Sequence, residues 1–152
     1  MKQESGRSLI EVLGVMAIGA IMIAGTVAAY NAVRNRQIRT VASAELEQIA
    51  KNTRLLMEPR GSYEGVSVDY LIKSGALKND KAPIGAADWS VTADLDGLSF
   101  SINLTGLSQG DCAYLTTARA AWASAIKLNG NELDAVAVCL TTGDNQVSFI
   151  VQ

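Results

Sequence analysis

Histidine is absent from this chain of 152 residues, and proline, cysteine and aromatic residues are few. Without histidine there is no Ser–His or Cys–His pair for nucleophilic catalysis, and the commonest general base and metal ligand is missing. Two cysteines are too few for a thiolate zinc site, and the sequence contains no Gly-rich phosphate-binding loop. The sequence therefore predicts a protein that is not an enzyme and has no metal and no cofactor.

An excess of basic residues is also missing, because the net charge is −2. A nucleic-acid partner is therefore not predicted. Several acidic residues are expected at turns or helix caps, namely Asp94, Asp96, Asp111, Glu132 and Asp134. Asp94-x-Asp96-Gly97 weakly resembles a calcium loop, but it lacks the spacing of an EF-hand, so a turn is favoured.

One long apolar run is present, from Leu9 to Ala29, and its 21 residues contain a single charged side chain, Glu11. Such a run is long enough to span a bilayer as a helix. The remainder of the chain has the composition of an ordinary globular domain that is large enough to form a core. We therefore expect an apolar helix followed by one domain.

Hydropathy alone leaves several interpretations of the run open. One is a cleavable signal peptide, with Lys2 and Arg7 as its basic start and a cleavage site before Tyr30, although the run exceeds the usual length of about 7 to 15 residues. Another is a plain membrane anchor, which leaves Glu11 unexplained because a carboxylate at bilayer depth is costly. A third interpretation makes Glu11 a functional residue.

The segment Ser-Gly-Arg-Ser-Leu-Ile-Glu-Val-Leu at residues 5–13 resembles the cleavage motif of the type IV prepilin family. In that family a short polar leader ends in Gly, and a Glu is the fifth residue of the mature chain. Gly6 matches the end of the leader, and counting from Arg7 places Glu11 fifth. The resemblance implies a leader at residues 1–6 and cleavage after Gly6. Arg7 departs from the apolar first residue that usually receives the family's N-terminal methylation.

The resemblance further implies that the chain is a structural subunit of a type IV pilus. Such a subunit crosses the bacterial inner membrane once and then joins an extracellular filament through its N-terminal helix. The implied partners are other copies of the chain, prepilin peptidase, the inner-membrane pilus assembly machinery and, before assembly, membrane lipid. Glu11 would pair with the amino terminus of a neighbouring subunit, and Arg7 would add a second cation. The alternatives are a type II secretion pseudopilin or minor pilin, and a membrane-anchored periplasmic binding domain.

Three glycines interrupt the apolar run, Gly14, Gly19 and Gly25. Each lowers helix stability relative to alanine in water, whereas in membranes small residues allow close contact between helices. Two expectations remain open: the 19–25 stretch loosens in the filament, or an intact helix packs closely there.

The helical pattern continues beyond the apolar run. Apolar or small residues recur at spacings of three and four and predict one buried face, formed by Ile38, Ala42, Leu46, Ile49, Thr53 and Leu56. Pro59 and Gly61 predict a stop, so one helix is expected from Arg7 to Met57. Residues 7–29 are assigned to its filament-core or transmembrane half. Its second half, at 30–57, is expected to pack on a globular domain at 58–152.

The predicted fold class is α+β, with the long helix packed on a small antiparallel sheet that carries further helices. Turn residues and alternation predict a helix at Val68–Ser74 between Ser67 and Gly75, irregular chain around Pro83, Gly85 and Trp89, strands at Val91–Ala93 and Leu98–Leu104, a helix from Ser108 to about Leu128 ended by Asn129-Gly130, and a hairpin of Ala135–Leu140 with Val147–Val151.

The globular domain contains a segment that resembles type IVb pilins of the toxin-coregulated and thin-pilus kind. It is Phe-Ser-Ile-Asn-Leu-Thr-Gly-Leu at residues 100–107, followed by Cys112. In those proteins a central strand leads through Gly-Leu into a helix whose Cys pairs with a later Cys. The resemblance implies a disulfide between Cys112 and Cys139, whereas the residues by themselves also allow two buried free thiols. The short leader is more similar to type IVa.

Overall fold

The structure, a computed structural model, describes residues 9–133 and 137–152. Helix α1 spans Leu9–Met57 and is followed by a 3-10 turn at Glu58–Arg60. Its predicted end at Met57 is confirmed: Pro59 lies in the 3-10 turn, and Gly61 closes that turn with a φ of 69°, a conformation that glycine adopts without strain. The predicted start at Arg7 lies outside the described residues.

Internal contacts divide the chain into two compact units. The first ends at Ile38, and the second, Arg39–Gln152, is called the head below. Part of α1 therefore belongs to the head. The predicted leader, residues 1–6, lies outside the described residues, and its boundary stays a prediction.

Inside the head, α1 buries one face. The buried residues are Ala42, Leu46, Ile49, Ala50, Thr53 and Met57. The predicted periodicity is thus confirmed in outline, with Met57 more deeply buried than Leu56. Ile38, also expected on this face, is 46% exposed. Thr53 fits the apolar environment because its hydroxyl donates to the Ile49 carbonyl at 2.8 Å.

The head has the predicted α+β class. Its remaining elements are α2 at Val68–Lys73, a 3-10 turn at Pro83–Gly85, β1 at Asp88–Ala93, β2 at Phe100–Leu107, α3 at Gln109–Thr117, β3 at Ala125–Leu128, β4 at Asn131–Glu132 and β5 at Asn145–Val151. The strands form one antiparallel sheet in the order β1-β2-β5-β3-β4. Helix α2 was predicted almost as observed, with the Ser67 hydroxyl accepting from the Tyr70 N–H.

Strands β2 and β5 form the centre of the sheet and of the core. Alternate side chains are buried on one face, in accord with the alternation in the sequence. Fully or almost fully buried are Phe100, Ile102, Leu104, Val147, Phe149 and Val151. They share a single hydrophobic cluster with the buried residues of α1, so this face of the sheet packs on the helix.

The region before β2 differs from the prediction in two respects. Trp89 lies in β1 rather than in irregular chain; it is buried, and its indole N–H donates to the Asp80 carbonyl at 2.7 Å. Leu98 was expected to begin this strand, but it is 68% exposed and precedes β2. The turn causes this shift, because the Leu98 N–H bonds to Asp96 Oδ1 instead of entering the strand ladder.

The helix predicted from Ser108 to about Leu128 is wrong in its second half. Helix α3 ends at Thr117, and the chain returns as β3, so Trp122 lies between the two elements and Ile126 lies in β3. Pairing of β3 with β5 overrides the helix propensity of this alanine-rich stretch. Asn129 and Gly130, with φ of 50° and 85°, form the turn from β3 to β4, as the favoured hairpin turn requires.

The predicted hairpin of Ala135–Leu140 with β5 is also wrong. Residues 134–136 lie outside the described residues, and 137–140 have no strand structure. Strand β5 instead pairs with β2 and β3. Cys139 therefore lies in irregular chain rather than in a strand.

Candidate functional site

The part of α1 before the head presents apolar side chains to its surroundings. Almost every residue from Leu9 to Ile38 is exposed, and the most apolar window has a mean hydropathy of 2.3 with none of it buried in the protein. By length and composition this helix is able to cross a membrane. Exposed apolar surface of this extent is typical of a helix that contacts lipid or another protein.

Glu11 lies in the first turn of α1 as described, on an otherwise apolar surface. Its carboxylate is exposed, which leaves it free to meet a cation outside the chain. Gly6 and Arg7, the residues of the predicted cleavage site, lie outside the described residues. Cleavage after Gly6 and a role of Arg7 beside Glu11 therefore stay predictions.

The three glycines of the apolar run lie within continuous α-helix. A Cβ added at Gly14, Gly19 or Gly25 would meet nothing within 4 Å, so the fold of the single chain does not require glycine there. The two expectations for the 19–25 stretch concern the filament, and both stay open.

Cys112 and Cys139 are joined by a disulfide, with Cα atoms 6.0 Å apart. Cys112 is fully buried on α3, and Cys139 belongs to the segment that follows the gap in the described residues. The bond closes a loop with a sequence separation of 27. In the chain-entropy account, a loop of this length stabilises the fold by about 3–4 kcal/mol.

Asn145 also fixes the chain next to Cys139, through hydrogen bonds to Leu140. The sequence did not predict this role. It is fully buried at the start of β5. Its amide nitrogen donates to the carbonyls of Leu107 and Leu140 at 3.1 and 2.9 Å, and its Oδ1 accepts from the Leu140 N–H at 2.7 Å. The side chain thus links the end of β2 to the residue after Cys139.

We expect the double variant Cys112→Ala, Cys139→Ala to lose about 3–4 kcal/mol of unfolding free energy, because its unfolded chain regains the freedom of the open loop. Chemical denaturation followed by tryptophan fluorescence measures the loss. Reduced wild-type protein is the control and should match the variant. Finding both thiols alkylatable in unreduced, denatured wild-type protein would contradict the bond itself.

Arg39 joins α1 to α3 within the head through an ion pair and a cation–π contact. Arg39 Nε lies 3.0 Å from Asp111 Oδ1, and the Arg39 guanidinium lies 5.9 Å from the centre of the Tyr114 ring. The Asp111 N–H also bonds to Ser108 Oγ at 3.2 Å, as its predicted place in a cap indicates. A Cβ at Gly110 would approach Arg39 within 2.7 Å, so glycine leaves room for the arginine.

Of the other acidic residues expected at turns or caps, Asp94 and Asp96 lie in the β1–β2 turn, and Asp134 lies outside the described residues. Asp94 Oδ2 accepts from Ser99 Oγ at 2.6 Å, and Asp96 Oδ1 accepts from the Leu98 N–H, so both carboxylates stabilise the β1–β2 turn. Glu132 lies at the rim of an open depression of about 870 Å³ between the end of α3 and the strands β3 and β4, which Arg119 also lines. Residues 9–133 and 137–152 include no group of three potential metal ligands.

The comparisons with known proteins add no relative, since neither a protein-family profile nor a curated protein matches this chain. The candidate site is therefore the exposed apolar part of α1, with the carboxylate of Glu11 near its described start. The same helix continues into a disulfide-bonded α+β head.

Proposed function

We propose that this chain is the structural subunit of a type IV pilus. The observation that carries the proposal is Glu11, the single charge of the 21-residue apolar run. A plain membrane anchor gains nothing from a carboxylate at that position. An assembling helix does gain, because the carboxylate fixes the position of a cation on its neighbour.

In this function the chain is first inserted in the bacterial inner membrane as a single-pass protein. Prepilin peptidase cuts after Gly6, and the new amino group of Arg7 meets Glu11 of another copy. The assembly machinery then moves the subunit from lipid into a helical polymer. The exposed apolar surface of α1 exchanges lipid contacts for contacts with other copies, while the heads form the outside of the filament.

Two features of the head agree with service in an extracellular filament. The Cys112–Cys139 disulfide is stable in an oxidising compartment and rare in the cytosol. The position of Cys112 on the helix after β2 agrees with the type IVb resemblance. A secretion pseudopilin or minor pilin would use the same cleavage and the same helix, and abundance in sheared surface filaments distinguishes the major subunit from them.

Mass spectrometry of the mature protein tests the proposal at its first step. We expect a chain that begins at Arg7 and retains Glu11 at its fifth position, and we expect a Gly6→Val variant to keep its leader, because the peptidase requires the small residue. A wild-type chain beginning at Met1 would favour the membrane-anchored binding domain, and one beginning at Tyr30 would favour a signal peptide. Either result would contradict the proposal.

A further inference from the structure

The turn between β1 and β2 presents two leucines beside two carboxylates. This turn, Asp94 to Leu98, is called the acidic tip below. Leu95 is 110% exposed and Leu98 is 68% exposed, while Asp94 and Asp96 are also exposed. A fully exposed leucine at the end of a hairpin gains nothing from the fold of its own chain.

Hydrogen bonds hold the acidic tip in a defined conformation. The Gly97 N–H donates to the Asp94 carbonyl at 2.9 Å, and the Gly97 carbonyl accepts from the Tyr63 N–H at 2.9 Å. Ser99 and the Leu98 N–H bond to the carboxylates of Asp94 and Asp96. Because the conformation is already fixed, a partner that docks on these leucines has little ordering entropy to overcome.

The first unit of the chain carries a surface of complementary chemistry. Tyr30, Arg34 and Ile38 follow one another at spacings of four and therefore lie on one face of α1. We call them the basic stripe. Tyr30 and Ile38 are 65% and 46% exposed, and Arg34 between them is exposed as well. The acidic tip alternates carboxylates with leucines, and the basic stripe places a cation between two apolar side chains.

The charge distribution favours a second copy of the chain as the partner. The head contains thirteen acidic and nine basic residues, a net charge of −4. The stretch between Glu11 and the head contains two arginines and no acidic residue. The head of one copy therefore attracts this stretch of another, and complementary charges fix which surfaces meet.

The two surfaces are separate parts of the chain, and this suits a polymer. The basic stripe ends at Ile38, directly before the head. The acidic tip is bonded to Tyr63, shortly after α1 ends. A contact between two different surfaces leaves one of each unused on every pair of copies, so it can be repeated along a polymer.

We propose that the acidic tip of one copy docks on the basic stripe of another, with Leu95 packed against Tyr30 and Ile38 and with Asp96 facing Arg34. This inference rests on the proposed function as a filament subunit. It assigns to the β1–β2 turn a contact outside the apolar filament core.

A charge exchange in the full-length chain tests the contact, with the yield of sheared filaments as the measurement. Asp96→Arg sets two cations against each other, and Arg34→Glu sets two carboxylates against each other. We expect each single variant to lower the yield about tenfold, since coupled contacts change an equilibrium by about that factor. The double variant restores opposite charges and should return to within about threefold of wild type.

Asp144→Arg is the matched control, because Asp144 is an exposed acidic residue of the head and lies outside both surfaces. Equal membrane levels and the absence of alkylatable thiols check that each variant is folded before assembly. Normal filament yields from both single variants, or a double variant as poor as the singles, would overturn the docking. Wild-type protein that makes no filaments and keeps Met1 would instead overturn the proposed function.

Discussion

Glu11→Ala is expected to reduce filament yield by at least about a hundredfold while the protein still reaches the membrane. In the assembled helices the amino group of a neighbouring Arg7 would lose its counter-charge in apolar surroundings. Breaking a buried ion pair costs about 3–5 kcal/mol, and each 1.4 kcal/mol corresponds to about tenfold in an equilibrium constant. The loss recurs at every subunit added, so the effect on the polymer exceeds that on one pair.

The measurement compares sheared surface filaments with subunit that remains in the membrane. Glu11→Asp keeps the charge and should retain part of the assembly. Glu47→Ala is the matched control, because Glu47 lies on the same helix in a partly exposed pair with Lys51 at 2.7 Å, and such pairs contribute little. Filaments of Glu11→Ala at the wild-type level, with correct cleavage after Gly6, would show that Glu11 is merely solvated and has no part in assembly.

Phe149→Ala is expected to lower the unfolding free energy of the head by about 3–5 kcal/mol, the usual range for a buried aromatic side chain. Phe149 is 1% exposed and lies in β5, opposite Ile102 of β2 and Ile126 of β3. Its ring centre is 5.0 Å from that of Trp122. Ile102 and Ile126 are held in strands paired with β5, so they cannot move far enough to fill the resulting cavity.

Denaturation of the full chain in detergent, followed by tryptophan fluorescence, measures this loss. Trp89 and Trp122 are the two tryptophans of the sequence, and both belong to the head, so the signal reports on its unfolding. Gln146→Ala in the same strand is the control, since the Gln146 side chain is exposed and should cost less than about 0.5 kcal/mol. A loss below about 1 kcal/mol for Phe149→Ala would mean that the core refills the space.

Local signals in the sequence were sufficient for the long helix and for the core of the sheet. Pro59 and Gly61 ended α1 where the structure ends it, because one residue lacks an amide donor and the other accepts a positive φ. The alternation of Phe100, Ile102 and Leu104 gave the buried face of β2. These features depend on residues within a few positions of one another, so they can be predicted without knowledge of the rest of the fold.

The candidate site was predictable to the same extent. The apolar run and Glu11 follow from composition and spacing, whereas the pairing of Cys112 with Cys139 came from the resemblance and is present in the structure. The hydrogen bonds of Asn145 to Leu107 and Leu140 had no signal in the sequence. An asparagine before a strand is ordinary turn chemistry, and its burial depends on Leu107 and Leu140 arriving from elsewhere in the chain.

The sequence by itself determined a helix with an exposed apolar start, its end at Met57, and a head whose central strands bury alternate residues. Only the tertiary structure decided that the chain after Thr117 becomes β3 instead of continuing as a helix, and that the segment around Cys139 stays out of the sheet. Residues 118–128 have adequate helix propensity, but Ala125–Leu128 pair with an edge of β5 that β2 leaves open. Strand pairing joins residues far apart in the chain, and a local pattern contains no information about which distant partner is available.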